Sequence, residues 1–176
     1  MIQTNWIVLT GGPSTGKTTL VEELKRRGYF VVPESARAQI DECLAQGQTL
    51  EQIRRDEKVF QDIVLKKKVE MEKTLDPSQT IFLDRGFHDS KGYYNFIKMK
   101  FSEEQFNDHP FRYKHVFILN LLPYQKDNIR TESAEDQKVL HDYIHQAYKD
   151  ADYNLIEVPA LPVDERIEYI FANILP

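Results

Sequence analysis

Residues 11 to 18 form the pattern Gly-x-x-x-x-Gly-Lys-Thr, a glycine-rich turn followed by a lysine and a hydroxyl side chain. Gly11 and Gly16 permit close approaches that a side chain would block, so that consecutive N–H groups can point at a phosphate chain. Lys17 is expected to reach the β- and γ-phosphates, and the Thr18 hydroxyl to ligate Mg²⁺. The pattern therefore predicts a loop that binds a nucleoside triphosphate with Mg²⁺. The predicted nucleotide contacts are Gly11, Gly12, Pro13, Ser14, Thr15, Gly16, Lys17, Thr18 and Thr19.

The sequence on either side of this loop supplies the elements that the motif needs. The apolar run Trp6 to Leu9 comes directly before the loop and has the length and composition of a buried parallel strand. Leu20, Val21 and Leu24 follow on one face of a predicted helix, whose N-terminus adds a partial positive charge. The pattern alone also occurs by chance in unrelated loops. The strand and the helix together favour a phosphate-binding loop.

Charged side chains follow two further predicted strands. Glu34 comes after the run 29–33, and Asp84 and Arg85 come after the run 80–83. Ligands of open parallel sheets bind at the carboxyl edge of the strands, where the phosphate-binding loop is also expected. We predict that Asp84 holds Mg²⁺ directly or through water and that Arg85 contacts phosphate oxygens. The alternative is an Asp-Arg ion pair that closes the strand.

Glu34 and Arg37 each have two interpretations. Glu34 is placed to act as the general base for an acceptor hydroxyl in line with the γ-phosphate, or to cap the helix that follows it. Arg37 lies three residues further on, on the same helical face, and would hold an anionic substrate or pair with Asp41 at the surface. The sequence alone is compatible with either interpretation of each residue.

The segment from Pro123 to Ser133 is a long, polar and charged loop between the fourth strand and the next helix, and it contains Lys126 and Arg130. Long loops in compact domains are often functional. Phosphoryl transfer depends on positive charge around the transferring group and on the exclusion of water. We therefore predict a lid that brings Arg130 to the transferred phosphoryl group. The alternative is a solvated loop whose charges pair among themselves.

Three other groups are interpreted mainly as structural. The lysine run 66–68 is expected to be the solvated face of an amphipathic helix. His141 and His145 lie four residues apart on a predicted helix, but no third ligand accompanies them, so we expect an exposed polar face. The helical spacing of four aromatic residues favours core positions, with Tyr93 or Tyr94 as a candidate substrate contact. These aromatic residues are Phe87, Tyr93, Tyr94 and Phe96.

Predicted strands alternate with helices along the whole chain, which implies right-handed crossovers and a parallel sheet covered on both faces. We therefore predict an α/β fold, a three-layer α/β/α sandwich with a five-stranded parallel sheet, in one domain over residues 1–176. The predicted strands are Trp6 to Leu9, Tyr29 to Pro33, Thr80 to Leu83, Val116 to Leu119 and Leu155 to Val158.

The composition restricts which binding partners and which cellular compartment are expected for this protein. The chain is 41% hydrophobic and 29% charged, without a disordered tract or an apolar run long enough to span a membrane. A net charge of −5 argues against a stable nucleic-acid partner. Cys43 is the only cysteine, which suits a reducing compartment, and no apolar leader precedes the first strand. We expect a cytoplasmic protein whose partner is a small-molecule phosphoryl acceptor.

Five stretches in this order resemble the NadR-type AAA domains of P-loop NTPases, which include bacterial nicotinamide-riboside kinase domains: GGPSTGKTTL, VVPESAR, FLDRGFHDSKGYY, KDNIRTES and LIEVPALPVDERIEYI. The likeness covers nearly the whole length. The Asp-Arg pair is more distantly similar to thymidylate kinases, and the glutamate after the second strand to deoxynucleoside kinases. The resemblance implies ATP and Mg²⁺ as cofactors. It also implies roles for Lys17 on the phosphates, Thr18 and Asp84 around Mg²⁺, Glu34 at the acceptor hydroxyl, and Arg85 and Arg130 on the transferred phosphoryl group.

Two function classes follow. The first is a kinase that transfers the γ-phosphoryl group of ATP to a hydroxyl of a nucleoside-like or nucleotide-like molecule. The second is a nucleotide-dependent ATPase or GTP-binding switch without such an acceptor. The signatures of a conventional GTPase are missing: Phe87, rather than glycine, stands third after Asp84, and residues 120–123 read Asn-Leu-Leu-Pro instead of Asn-Lys-x-Asp. ATP is therefore the expected nucleotide.

Overall fold

A computed structural model describes residues 1–123 and 133–174 of the chain. Its strands are β1 (Ile2–Gln3), β2 (Trp6–Thr10), β3 (Val31–Val32), β4 (Ile81–Asp84), β5 (Phe111–Arg112), β6 (His115–Leu119) and β7 (Leu155–Val158). Its helices are α1 (Lys17–Arg26), α2 (Ser35–Ala45), α3 (Leu50–Arg54), α4 (Glu57–Glu72), α5 (Asp89–Phe96), α6 (Glu104–Asn107), α7 (Ala134–Asp150) and α8 (Val163–Ile174).

Five strands form one parallel sheet in the order β3-β4-β2-β6-β7. Strand β2 lies at the centre, where Leu9 is in register with Asp84 of β4 and Thr10 with Ile118 of β6. Because all five strands run in the same direction, the phosphate-binding loop, Glu34 and Asp84 come together at the carboxyl edge of the sheet. The predicted α/β fold with five parallel strands is confirmed.

Helices cover both faces of the sheet, because alternate side chains of each strand point to opposite sides. Trp6 and Val8 of β2 pack in the cluster that includes Ile144 of α7. Ile7 and Leu9 pack in a second cluster together with residues of α1 and α8. These two buried cores are the interfaces of the predicted three-layer sandwich.

Three local features differ from the sequence-based expectation. A short parallel pair, β1 with β5, was not predicted, and β3 is shorter than the predicted run. The pattern Thr49-Leu50-Glu51-Gln52 predicts a capping box that opens a long helix. The capping box is present, but the helix that it opens, α3, is short and ends at Arg54. The reason is Asp56, whose backbone is extended and whose side chain accepts a hydrogen bond from the Val59 N–H, so that a separate helix, α4, begins there.

In the described part of the chain, no helix combines the length and the apolar character that crossing a membrane requires.

Candidate active site

The glycine-rich loop connects the end of β2 to the start of α1. Gly11 has a φ of +134°, and a Cβ atom there would lie 2.8 Å from the carbonyl oxygen of Leu119. Gly16 is the N-cap residue of α1 with a φ of +71°, and no side chain of the described residues caps this helix. Ser14 also has a positive φ, 58°, and such conformations of non-glycine residues concentrate at functional sites. The loop therefore leaves the first amides of α1 available to an anion.

Lys17, Asp84 and Glu34 form a charged cluster at the carboxyl edge of the sheet. Lys17 Nζ donates to Asp84 Oδ1 at 2.7 Å and lies 3.8 Å from Glu34 Oε2. The side chains of Lys17 and Asp84 are 6% and 9% exposed, and that of Glu34 is 24% exposed. Because little water reaches these groups, their attraction is stronger than that of a surface pair.

Arg85 connects three parts of the site. Its Nε donates to Glu34 Oε1 at 2.8 Å, and its Nη1 donates to the Gly11 carbonyl at 2.8 Å and to Asp89 Oδ1 at 2.9 Å. Burial opposes the charge of this guanidinium, but Tyr93, Glu34 and Asp89 outweigh burial and raise the pKa of Arg85. Arg85 is therefore a fixed cation beside the phosphate-binding loop.

Asp89, at the start of α5, is the buried residue that holds Arg85. Its Oδ1 also accepts from Thr10 Oγ1 at 2.6 Å, and its Oδ2 accepts from the Gly86 N–H at 2.9 Å and from the Tyr148 hydroxyl at 2.6 Å. Burial alone would raise the pKa of Asp89, but the charge of Arg85, a further lysine and these hydroxyl donors lower it. The carboxylate is therefore ionised and fully hydrogen-bonded.

Glu34 occupies the N-cap position of α2, but its side chain makes no capping hydrogen bond within the described residues. This geometry does not support the capping interpretation. Burial would raise the pKa of Glu34, but the charges of Arg85, Lys17 and Lys68 lower it to about 2. The carboxylate is thus ionised at neutral pH and faces the cations of the site.

A pocket continues from the phosphate-binding loop into the space between α2, α4 and α5, with Glu34 and Arg85 in its wall. The ring of Tyr93 lies 5.3 Å from the Arg85 guanidinium carbon. Arg37 Nε lies 3.6 Å from Asp41 Oδ1, and both side chains are more than half exposed, so the surface pair predicted as an alternative is present at the pocket mouth. The wall on the α4 side is formed by Phe60, Gln61, Val64 and Lys68.

Lys68 overturns the interpretation of the lysine run as a solvated face. Its side chain is 3% exposed, and its Nζ donates to the Gly86 carbonyl at 2.7 Å. Burial lowers the pKa of Lys68, and the carboxylates of Asp89 and Glu72 act in the opposite direction. Successive helical residues turn by about 100°, so neighbouring lysines point to different sides of the helix. One member of the run therefore reaches the site while Lys66 is exposed.

His141 overturns the prediction of an exposed histidine face on α7. Its Nδ1 accepts a hydrogen bond from the Gly12 N–H at 3.1 Å, so the residue contacts the phosphate-binding loop. Phe87 and Tyr94 lie in the core, as their spacing favours. Tyr93, in contrast, reaches the pocket.

The predicted lid residues Lys126 and Arg130 lie outside the described residues. The role of Arg130 stays a prediction from the sequence.

Sequence reasoning missed Asp89, Lys68, His141 and Tyr148. Asp89 had a weak signal, since it lies only four residues after Arg85, but Arg85 precedes the helix that begins at Asp89 and has a left-handed backbone, so helical spacing does not predict their contact. Lys68 and His141 had none, because their partners lie in other elements. Tyr148 resembles any other apolar helix position in the sequence pattern.

The fold of the P-loop NTPases is a parallel sheet that has a phosphate-binding loop after its central strand and charged side chains at the carboxyl edge. The described residues have this arrangement. The family model described as "AAA domain" matches residues 6–166. This chain therefore belongs to the AAA domain family, and the predicted resemblance is confirmed. No curated protein sequence matches the chain significantly.

Several solved structures share this fold. A deoxyadenosine kinase from M. mycoides is 17% identical, with 96% of this chain and 97% of that chain covered and a TM-score of 0.68. A thymidylate kinase from Ehrlichia chaffeensis is 13% identical, with 99% and 100% covered and a TM-score of 0.66. The NadR protein in complex with NR is 17% identical, with a TM-score of 0.57; 88% of this chain is covered, but only 45% of NadR. At these identities the likeness establishes the fold.

Proposed function

We propose that this protein is a kinase that transfers the γ-phosphoryl group of Mg²⁺-ATP to a hydroxyl of a nucleoside-like or nucleotide-like small molecule. The observation that carries the proposal is the position of Glu34 in the pocket wall, 3.8 Å from the loop lysine Lys17 and 2.8 Å from Arg85. The names of the similar structures, two of them nucleoside or nucleotide kinases and one a complex with NR, support the same reaction class.

The oxygen donors beside the loop fit a magnesium ion. The Thr18 hydroxyl lies in the first turn of α1, and the Asp84 carboxylate lies at the end of β4. Hydroxyl and carboxylate oxygens are the ligands that Mg²⁺ prefers, and Asp84 already faces a cation, the Lys17 ammonium, at 2.7 Å. When bound, the ion would neutralise charge on the phosphate oxygens.

In the proposed reaction the acceptor oxygen forms a bond to the γ-phosphorus while the bond from that phosphorus to the β,γ-bridging oxygen breaks. The acceptor proton passes to the Glu34 carboxylate, and ADP leaves with its new negative charge beside Lys17. Because the pKa of Glu34 is about 2, the carboxylate is a weak base. It therefore takes the proton late, when the new bond has largely formed and the acceptor oxygen has become acidic.

The charge balance of the pocket favours an uncharged acceptor. Arg85 already lies within 2.9 Å of two carboxylates, those of Glu34 and Asp89. Arg37 at the pocket mouth is paired with Asp41. A phosphate on the acceptor that bound Arg85 or Arg37 would compete with these carboxylates, and a further wall cation, Lys68, already donates to the Gly86 carbonyl. A hydroxyl needs no additional positive charge. We therefore expect nucleosides to be better acceptors than nucleoside monophosphates.

The test is a screen of nucleosides and nucleoside monophosphates for ADP release, with the phosphorylated product identified by mass spectrometry. Glu34→Gln should bind Mg²⁺-ATP as the wild type does but transfer phosphoryl groups about a hundredfold or more slowly, because the proton acceptor is lost. Lys17→Ala is the control for nucleotide binding and should lose ATP affinity strongly.

Two results would contradict the kinase reaction. One is ADP release that no acceptor accelerates and that Glu34→Gln leaves unchanged, which would favour the nucleotide-dependent switch. The other is acceptor phosphorylation at the wild-type rate in Glu34→Gln, which would remove Glu34 as the base.

A further inference from the structure

The second glycine of the phosphate-binding loop is fixed by α7. The Gly12 N–H donates to His141 Nδ1 at 3.1 Å. A Cβ atom on Gly12 would lie 2.9 Å from both the Gln137 carbonyl oxygen and His141 Cβ, so the loop backbone rests directly on the helix. His141 therefore has both a hydrogen bond and a packing contact with the start of the loop.

This hydrogen bond requires a neutral imidazole with its proton on Nε2, because Nδ1 must offer a lone pair. Burial lowers the pKa of His141 below its ordinary value. The surrounding charges are divided: Asp142 on α7 and Glu157 on β7 raise this pKa, whereas His145 on α7 and Arg85 after β4 lower it. His141 is thus neutral at pH 7 and gains a proton only in more acidic solution.

We propose that His141 is a positioning residue that holds the phosphate-binding loop in its nucleotide-binding conformation through Gly12, and that the loop loses this support when the imidazole is protonated. The inference rests on the proposed binding of Mg²⁺-ATP. His141 acts through the loop backbone: with the Gly12 amide directed to α7, the loop turns so that its later amides face the phosphates. Protonation of Nδ1 places two donors against each other at this contact, and the loop separates from the helix.

The experiment compares Mg²⁺-ATP affinity by calorimetry from pH 7.5 to pH 5.5 in the wild type and three variants. His141→Asn keeps an acceptor oxygen near the Nδ1 position but cannot be protonated in this range. His141→Leu has no acceptor. His145→Asn is the matched control, since His145 lies one turn further along the same helix and makes no hydrogen bond to the loop within the described residues.

We expect His141→Leu to bind Mg²⁺-ATP about three- to tenfold more weakly than the wild type at pH 7.5, a loss that corresponds to one net hydrogen bond. His141→Asn should bind as the wild type does at pH 7.5 and keep more of its affinity at pH 5.5. His145→Asn should bind as the wild type does at pH 7.5 and should still lose affinity in acid, at a slightly higher pH, because the charge of His145 no longer lowers the pKa of His141. Titration of the nucleotide itself is common to all four proteins and cancels in the comparison.

Two results would overturn the inference: wild-type affinity in His141→Leu at every pH, or an equal acid loss in His141→Asn and the wild type. Hydrogen exchange of the Gly12 amide supplies a readout without nucleotide, and it should be faster in His141→Leu than in the wild type or His141→Asn. If the wild type binds no nucleotide, the proposed function fails, while Gly12 exchange still decides whether His141 holds the loop.

Discussion

Arg85 combines a strained backbone conformation with a position beside the phosphate-binding loop. Its φ of 68° is in the left-handed region, which costs a non-glycine residue about 1 kcal/mol or more. The conformation directs the side chain back across the sheet edge to Glu34, to the Gly11 carbonyl and to Asp89. These three bonds offset the strain, and they hold a cation beside the phosphate-binding loop.

Asp89 is expected to be the residue on which this arrangement depends most. Asp89→Asn replaces one of two carboxylate oxygens by an NH₂ group, which would face donors whichever way it turns: Thr10 and Arg85 on one side, Gly86 and Tyr148 on the other. Removing one partner of a buried ion pair typically costs about 3–5 kcal/mol. We expect a loss of that size in the free energy of unfolding, measured by urea denaturation.

Thr10→Val is the control for Asp89→Asn, since it removes one hydroxyl donor to the same carboxylate and should cost less, about 1.5–3 kcal/mol. Equal stability of Asp89→Asn and the wild type would show that Asp89 does not hold Arg85.

At the scale of elements, several segments of the site pack against one face of α7. Gln137, His141, Ile144 and Tyr148 recur at helical spacing on this face. Cβ atoms added to three glycines of other segments would lie within 3 Å of it: Gly12 of the loop, Gly86 after β4 and Gly92 of α5. The absence of side chains at these glycines lets α7 approach the backbone of each segment. Ser133 fixes the start of the helix through a capping box with Asp136.

We expect Gly92→Ala to force α5 and α7 apart. The added Cβ would lie 2.8 Å from Ile144 Cα and 2.9 Å from Ile144 N, which are backbone atoms and cannot rotate away. Overpacking of this kind costs about 1–3 kcal/mol. Thermal and urea denaturation should show the loss of stability. The increase in melting temperature caused by Mg²⁺-ATP should also be smaller, because α5 carries Asp89 and α7 carries His141.

Gly28→Ala separates a general loss of stability from this specific effect. Gly28 has a φ of +86° with open space around it, so alanine there strains the backbone without touching α5 or α7. This variant should keep the wild-type response to Mg²⁺-ATP. A Gly92→Ala protein with wild-type stability and nucleotide response would contradict the role of the α5–α7 contact.

At the scale of the whole molecule, the lowered pKa values of buried groups predict that the free energy of unfolding decreases in two stages as the pH falls. Burial lowers the pKa of His88 to about 3, below the ordinary value near 6.5. Between these values the unfolded chain takes up a proton that the folded protein excludes, so stability decreases as the pH falls from about 6.5. Glu34 and Asp89 have lowered pKa values. Their contribution is complete above the unfolded values near 4 and is lost as the pH falls further.

The measurement is the free energy of unfolding in urea from pH 7.5 to pH 3. We expect a gradual decrease below about pH 6.5 and a steeper one below about pH 4.5. His88→Phe keeps an aromatic ring beside Tyr148 and Tyr153, whose rings lie 5.5 Å from that of His88, and it should make the first stage shallower. A constant free energy of unfolding from pH 7.5 to pH 4.5 would contradict this account.

The sequence by itself determined the fold class and the phosphate-binding loop. The apolar run Trp6 to Leu9 has the length and composition of a buried parallel strand, and the loop motif depends on backbone chemistry within eight consecutive residues. The order of strands and helices then placed Glu34, Asp84 and Arg85 at the same edge without any knowledge of side-chain contacts.

Only the tertiary structure decided which other side chains complete the site. The Gly12–His141 bond joins residues 129 positions apart, and the Arg85–Gly11 bond joins residues 74 positions apart. Local periodicity describes one helix or strand at a time, so it assigned Lys68 and His141 to solvated faces. Whether such a side chain meets water or another element depends on how the helix packs against the sheet edge, which is a property of the folded chain.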